Sequence, residues 1–244
     1  MTGADRRRTA AGWFFEGARQ AVSGPAWIVG LSLASVGGLA HDVGLSATNA
    51  VLSTLLVWAG PAQLIFFTSV ATDVAPLAIV LAVTLASVRF VPMVVSLLPV
   101  IRGPRTGLAT QFLAAHYVAV TVWVETMRRA PGVPRERRMA FFLGFANACI
   151  LTAAAMTLVG FEAARMLPAA LAAALLFITP IYFVAASMRG AREAMDWAAL
   201  FLGLTLAPWI ERLVGGGLDL LVTGALAGGA AYATRLVGRA GRRR

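Results

Sequence analysis

The stretch Leu81–Val95, LAVTLASVRFVPMVV, decides the fold, and Arg89 is its only charged residue. Such a run belongs in a lipid bilayer or a deep core, and the rest of the chain selects the bilayer. Of 244 residues, 59% are hydrophobic and only 13% charged, with a mean hydropathy of +0.78. Soluble domains are closer to a quarter charged. A helical crossing takes roughly 20 residues, so this length holds about seven or eight crossings and no separate soluble domain. Eight apolar runs are visible, at 25–40, 46–72, 76–101, 108–127, 139–160, 167–188, 194–212 and 216–235. The expected fold is therefore all-α: a polytopic transmembrane helix bundle of about eight spans. A cytoplasmic amphipathic, Arg-rich N-terminus (1–24) precedes the transmembrane domain (25–235), and an Arg-rich cytoplasmic tail (236–244) follows it.

The formal charge is +10, and every basic residue is arginine. The arginines cluster at the ends and in the gaps between runs, which fits retention on the cytoplasmic side rather than nucleic-acid binding. With both termini inside and eight crossings, 16 arginines face the cytoplasm and four the other side, with Arg89 left in the membrane. Arg6–Arg8 before the first run reads as a retained start-transfer helix, not a cleaved signal. The single cysteine, Cys149, excludes an internal disulfide and speaks against zinc or iron–sulfur chemistry.

Two runs, 46–72 and 76–101, are too long for straight helices. Gly60-Pro61 interrupts the second, and Pro92 follows Arg89 in the third. Proline removes a backbone donor and clashes with the preceding turn, so kinked or broken helices are expected at Pro61 and Pro92. Two readings stay open: tilted helices with ordinary kinks, or discontinuous helices whose half-helix ends build a polar site at mid-membrane. A weak internal echo links LLVWAGPAQLIFF in the second run with ALLFITPIYFVAA in the sixth. Pro61 to Arg89 and Pro180 to Pro208 are both 28 residues apart. A true repeat would favour a transporter with its site between related halves.

Arg89 stands about 13 residues into its run, roughly 20 Å from the end at 1.5 Å per residue. A charge at that depth costs a few kcal/mol or more. None of the 11 acidic residues lies plainly at mid-span. Its partners are then backbone carbonyls freed near Pro61 or Pro92, a polar side chain such as Gln63, or a visiting anion. One reading is structural. The other has Arg89 facing a hydrated cavity and gripping a substrate carboxylate with both guanidinium nitrogens. Gln63 follows the Gly60-Pro61 break, where a half-helix would aim free N–H groups at an anion.

In the fourth run Thr110, Tyr117, Thr121 and Glu125 are spaced to share one helix face and line a passage. Glu125 is either a proton carrier or the partner of Arg128 and Arg129. His116 lies off that face and reads as structural. Asn49, Asn147 and Thr179 suit interhelical hydrogen bonds, and Thr179-Pro180 joins the pathway candidates. Gly224 to Gly228 is a small-residue spacing that permits close helix contact. A phosphate-binding loop, a metal-ligand spacing and a hydrolase triad are all missing from the sequence, which argues against an ATP motor or an enzyme.

The segments STLLVWAGPAQLIFF (53–67) and LASVRFVPMVVSLLP (85–99) resemble the "fAGaaQf" and "lNlRhllysasL.p" segments of the AzlC family, the large subunit of branched-chain amino acid exporters. FFLGFANACILTAAAMTLVGF and LLFITPIYFVAAS are similar to its later spans. Gly60, Gln63 and Arg89 match motif positions. Ser87 stands where the family usually has Asn, and Phe90 where it often has His. The fourth-span stretch AVTVWVE lacks the family's acidic pair. The resemblance implies an inner-membrane permease exporting valine, leucine, isoleucine or similar small zwitterions, with a small AzlD-type membrane subunit as partner and no cofactor. Substrate contacts are expected from Arg89, Gln63, Gly60, Pro61 and Ser87. The rival readings are an exporter or channel for another organic anion and a non-transporting membrane scaffold.

Overall fold

A computed structural model describes residues 9–241 apart from 105, 165, 167, 169, 172–180, 182–183, 186–187, 189–190, 192 and 215–218. Among these residues every regular element is helical. In chain order they are α1 (Ala10–Val22), α2 (Pro25–Asp42), α3 (Ala47–Val57), α4 (Gly60–Ala71), α5 (Pro76–Ser87), α6 (Val91–Ile101), α7 (Leu108–His116), α8 (Val120–Arg129), α9 (Arg138–Ala163), α10 (Ala194–Val214) and α11 (Asp219–Gly241). The segment 172–180 holds Thr179 and Pro180, so those two candidates and the internal echo lie outside the described residues.

Helix α9 is the pole of the bundle. It packs most extensively on α2 and α1, then on α3. Small residues set those contacts. Gly37 of α2 meets the Thr157 carbonyl, and Gly160 of α9 meets the Ala34 carbonyl, so each backbone fills the other's missing side chain. The same exchange joins α1 to α9, with Gly17 against the Phe141 carbonyl and Gly144 against that of Phe14. In a bilayer apolar burial does not drive helices together, so close backbone approach of this kind carries the packing. Between the two crossings Phe142, Phe145, Cys149 and Ala153 are fully buried.

Among the described residues, three helical segments are long and apolar enough to cross a bilayer: Pro76–Ile101, Arg135–Ala163 and Ala194–Val214. A fourth arises if α1 and α2, bent by 57° at Ser23-Gly24, act as one. Pro25, which has no N–H to give, starts the new helix there. The expected eight spans thus meet a chain divided more finely. The run 46–72 becomes α3 and α4, and the run 108–127 becomes α7 and α8. With nine to 12 residues each, these helices are too short to span roughly 30 Å of hydrocarbon alone. The proline effects differ. Before Pro61 the helix stops outright, with Trp58 left-handed and Ala59 extended. Before Pro92 it only tightens into a 3₁₀ turn, Val88–Phe90, and the 26-residue span continues.

The outer surface is apolar. Leu77, Val80, Leu81 and Val95 on the α5–α6 rod are exposed, as are Phe201, Trp209 and Leu213 on α10. Patches of this extent belong against lipid rather than water. Helices α10 and α11 pack mainly on each other.

Gly160→Leu should lower the unfolding midpoint in detergent, at a cost of about 1–3 kcal/mol from forced separation of α2 and α9. Gly228→Ala, whose added Cβ would meet nothing within 4 Å, should leave the midpoint unchanged or raised. Equal behaviour of the two would refute the close-packed crossing.

Candidate functional site

Two helix breaks face each other inside the bundle. The first is Trp58-Ala59, between α3 and α4. The second, at Tyr117–Ala119, divides α7 from α8. The expectation that Thr110, Tyr117, Thr121 and Glu125 share a face of one helix therefore fails: the chain turns extended at Ala119 and restarts. Proline or glycine marks the first break and not the second. Val118, Val120, Thr121 and Val122 are β-branched, which weakens a helix without ending it. The second break persists because neighbours take up its polar groups. The Trp58 indole N–H donates to the Tyr117 carbonyl at 3.2 Å. The Tyr117 hydroxyl donates to Asn147 Oδ1 at 3.0 Å, and Asn147 is tied back to the Leu143 carbonyl.

Between the breaks lies a cavity of about 380 Å³, within the range of small-molecule sites. The first break gives it Trp58, Ala59, Gly60 and Pro61, and the second gives it Ala119, Val120 and Thr121. Helix α2 contributes Val29, Ser32, Leu33 and Val36, one helical stripe; Gly30, Ala34 and Gly37 on the next stripe face α9. Leu64 of α4 and Arg89 with Phe90 of the 3₁₀ turn complete the wall.

Arg89 is 13 residues from Pro76 and 12 from Ile101, at the middle of its span. Its guanidinium carbon lies 5.1 Å from the centre of the Phe90 ring, a favourable place for a cation in apolar surroundings. Both α4 and α8 begin at the cavity. Their cap residues, Ala59 and Ala119, are extended and offer no side-chain cap. The first intrahelical bonds there run from Gln63 N–H to the Ala59 carbonyl and from Trp123 N–H to the Ala119 carbonyl. The preceding N–H groups of each half-helix point toward the cavity end, where the helix dipole is positive. One mid-span arginine and two half-helix N-termini thus share a mostly aliphatic chamber, an arrangement suited to a carboxylate attached to an apolar body.

The other expected residues lie around this chamber rather than in its wall. Gln63 is fully buried behind it. Its amide N–H groups donate to Ser53 Oγ at 3.0 Å and Thr54 Oγ1 at 2.9 Å. Ser53 spends its own proton on the Ala50 carbonyl and can only accept, which fixes the amide orientation. Gln63 Oε1 is left without a partner among the described residues. Thr54 is 2.9 Å from Thr157 Oγ1, so the network crosses from α3 and α4 to α9. Ser87 bonds back to the Val83 carbonyl and is not in the wall. Glu125 lies one turn beyond Thr121, at the Arg-rich end of α8. It accepts from Arg128 at 2.8 Å and pairs with Arg129. Arg129 also donates to Gln20, whose amide donates to Glu16, which ties α8 to α1. Glu125 is thus an anchor between helices in this geometry. Trp58, Ala119 and the α2 stripe escaped sequence reading; an aromatic beside Ala-Gly-Pro was the one signal for Trp58.

The fold and site define a helical membrane protein with an internal small-molecule chamber. The family model for AzlC protein matches residues 26–167, which include every residue of the cavity wall. The chain belongs to the AzlC family, a family associated with branched-chain amino acid transport. Neither the curated proteins nor the solved structures contain a match.

Two outcomes follow from these networks. Thr54→Val and Thr157→Val should each destabilise by about 1–3 kcal/mol in detergent unfolding, and the double variant by clearly less than the sum, because both remove one shared contact. Glu125→Gln should also lower stability by about 1–3 kcal/mol while leaving the shape of any flux–pH profile unchanged; a lost pH dependence would make it a proton carrier.

Proposed function

We propose that this protein is a permease that exports branched-chain or similar small apolar amino acids across the cytoplasmic membrane. The observation that carries this reading is the convergence of Arg89 with the N-termini of α4 and α8 on one aliphatic cavity. Arg89 receives the substrate carboxylate, and the free N–H groups at Gly60 and Thr121 add donors. The ammonium group meets carbonyls freed where α3 and α7 end. Leu33, Val36 and Leu64 accept the side chain. Gln63 acts from behind the wall, holding α4 to α3 and α9, and Ser87 steadies the turn that presents Arg89.

In this reading the chain crosses the membrane about eight times with both ends cytoplasmic. Two of those crossings are pairs of half-helices. A small AzlD-type membrane subunit completes the exporter. Discontinuous helices suit alternating access, since a half-helix can tilt without rupturing a continuous ladder. Transport is driven by the substrate gradient or the proton-motive force. The chamber also favours a second reading, export of another organic anion, because an arginine accepts any carboxylate.

Reconstituted vesicles, with and without a small partner subunit, test this. Arg89→Ala should reduce leucine efflux at least tenfold, and Arg89→Lys should recover only part of it, since an ammonium lacks the two-pronged geometry. Selectivity should be loose, about fourfold per methylene at roughly 0.8 kcal/mol. Faster efflux of the corresponding keto acid than of leucine would favour the organic-anion reading. Full leucine efflux from a folded Arg89→Ala protein would refute Arg89 as the carboxylate site, and absence of efflux from the unaltered protein would leave only a scaffold.

A further inference from the structure

The two breaks are tied to each other by a pair of ring N–H groups to which the chamber reading gives no part. Trp58, at the first break, donates its indole N–H to the carbonyl of Tyr117, at the second. His116, the last residue of α7, reaches the other way, with Nε2 3.0 Å from the carbonyl of Leu55 near the end of α3. A carbonyl oxygen only accepts, so this imidazole nitrogen carries a proton and donates. Each broken helix therefore places a ring N–H on a carbonyl that the other break exposes. These carbonyls belong to the last turns of α3 and α7, where intrahelical donors run out.

Trp58 holds its ring there at a conformational cost. Its backbone is left-handed, with φ 35° and ψ 34°, a region that a bulky residue rarely adopts. Gly60 stands two residues later and would take that conformation more readily. A strained residue persists only where its surroundings over-determine it, and here the indole bond and 5% exposure do so. The left-handed turn sends the chain directly into extended Ala59 and then into α4, whose N-terminus opens on the cavity. Trp58 itself lies in the cavity wall.

We infer that Trp58 and His116 are positioning residues: their ring N–H groups cross-cap the paired helix breaks and so hold both half-helix N-termini against the chamber. This rests on the transport reading above for its functional consequence, though not for its geometry. The cross-cap joins α3–α4 to α7–α8 without occupying the substrate space. Its loss displaces the donors on α4 and α8 relative to Arg89 and weakens substrate capture more than turnover.

The test uses the full-length protein in proteoliposomes and, separately, hydrogen exchange in lipid nanodiscs. Trp58→Phe keeps a ring and removes the donor; His116→Ala removes its donor, and His116→Gln replaces it. Trp58→Phe and His116→Ala should raise the KM for leucine between about threefold and tenfold, the worth of one such hydrogen bond. Maximal flux should change less than KM, and His116→Gln should return KM to within about twofold of the unaltered protein. Exchange at 59–64 and 117–123 should accelerate in Trp58→Phe and His116→Ala, with α9 as slow as before. Unchanged KM and unchanged exchange in both would overturn the inference. If Trp58→Phe does not fold, the His116 pair decides: loss with Ala and recovery with Gln support the cross-cap, and equal behaviour refutes it. Absence of leucine flux in the unaltered protein would instead sink the transport reading, and the exchange data would still judge the cross-cap.

Discussion

Inside a bilayer no water is at hand to take up a backbone carbonyl or N–H that a helix has let go. That constraint governs this molecule. A membrane helix can be interrupted only where another group meets the freed polar atoms, and here two interruptions lie side by side. The carbonyls of Leu55 and Tyr117 receive ring N–H groups from the opposite break. The N–H groups of α4 and α8 open into a shared space. Without its neighbour, either break would leave buried polar groups that cost several kcal/mol each. The cavity is the room that this mutual accommodation leaves.

Such an arrangement needs a rigid back wall, and the glycine crossings supply it. Helix α9 touches α1 and α2 backbone to backbone at Gly17–Gly144 and Gly37–Gly160. From this fixed pole Thr157 reaches Thr54 and Asn147 reaches Tyr117, so both broken helices are held to the same strut. At the far end of α8, the Glu125–Arg129–Gln20–Glu16 chain moors the second half-helix to α1. Helices α1, α2 and α9 thus form the frame on which both broken helices rest.

Charge placement follows the same logic. Helix α8 has its positive N-terminus at the chamber and its negative C-terminus beside Arg128 and Arg129. Arg89 brings a full positive charge to the same cavity, on a 3₁₀ turn that Pro92 and Ser87 bracket. A 3₁₀ turn in mid-helix often marks a hinge. Val29, Leu33 and Val36 of α2 add aliphatic surface to the same cavity. The chamber thus joins cationic donors to aliphatic surface, as a small amphiphilic solute requires.

Much of this was readable in the residues. Hydropathy alone gave a helical membrane protein, because continuous apolar runs of about 20 residues satisfy their own backbone across a bilayer only as helices. Gly60-Pro61 announced the first break, since proline has no N–H for the ladder, and Arg89 stood out as a charge too deep to ignore. The Arg128–Arg129 spacing behind Glu125 pointed to an ion pair. Tertiary structure decided the rest. The break at Tyr117–Ala119 carries no proline or glycine, and its freed carbonyl is met by Trp58, 59 positions earlier. Gln63 sits behind the chamber and not in it, because hydroxyls on α3 claim its amide. Local sequence sets which bonds a helix cannot make, and only the packed neighbours determine where the orphaned groups find partners.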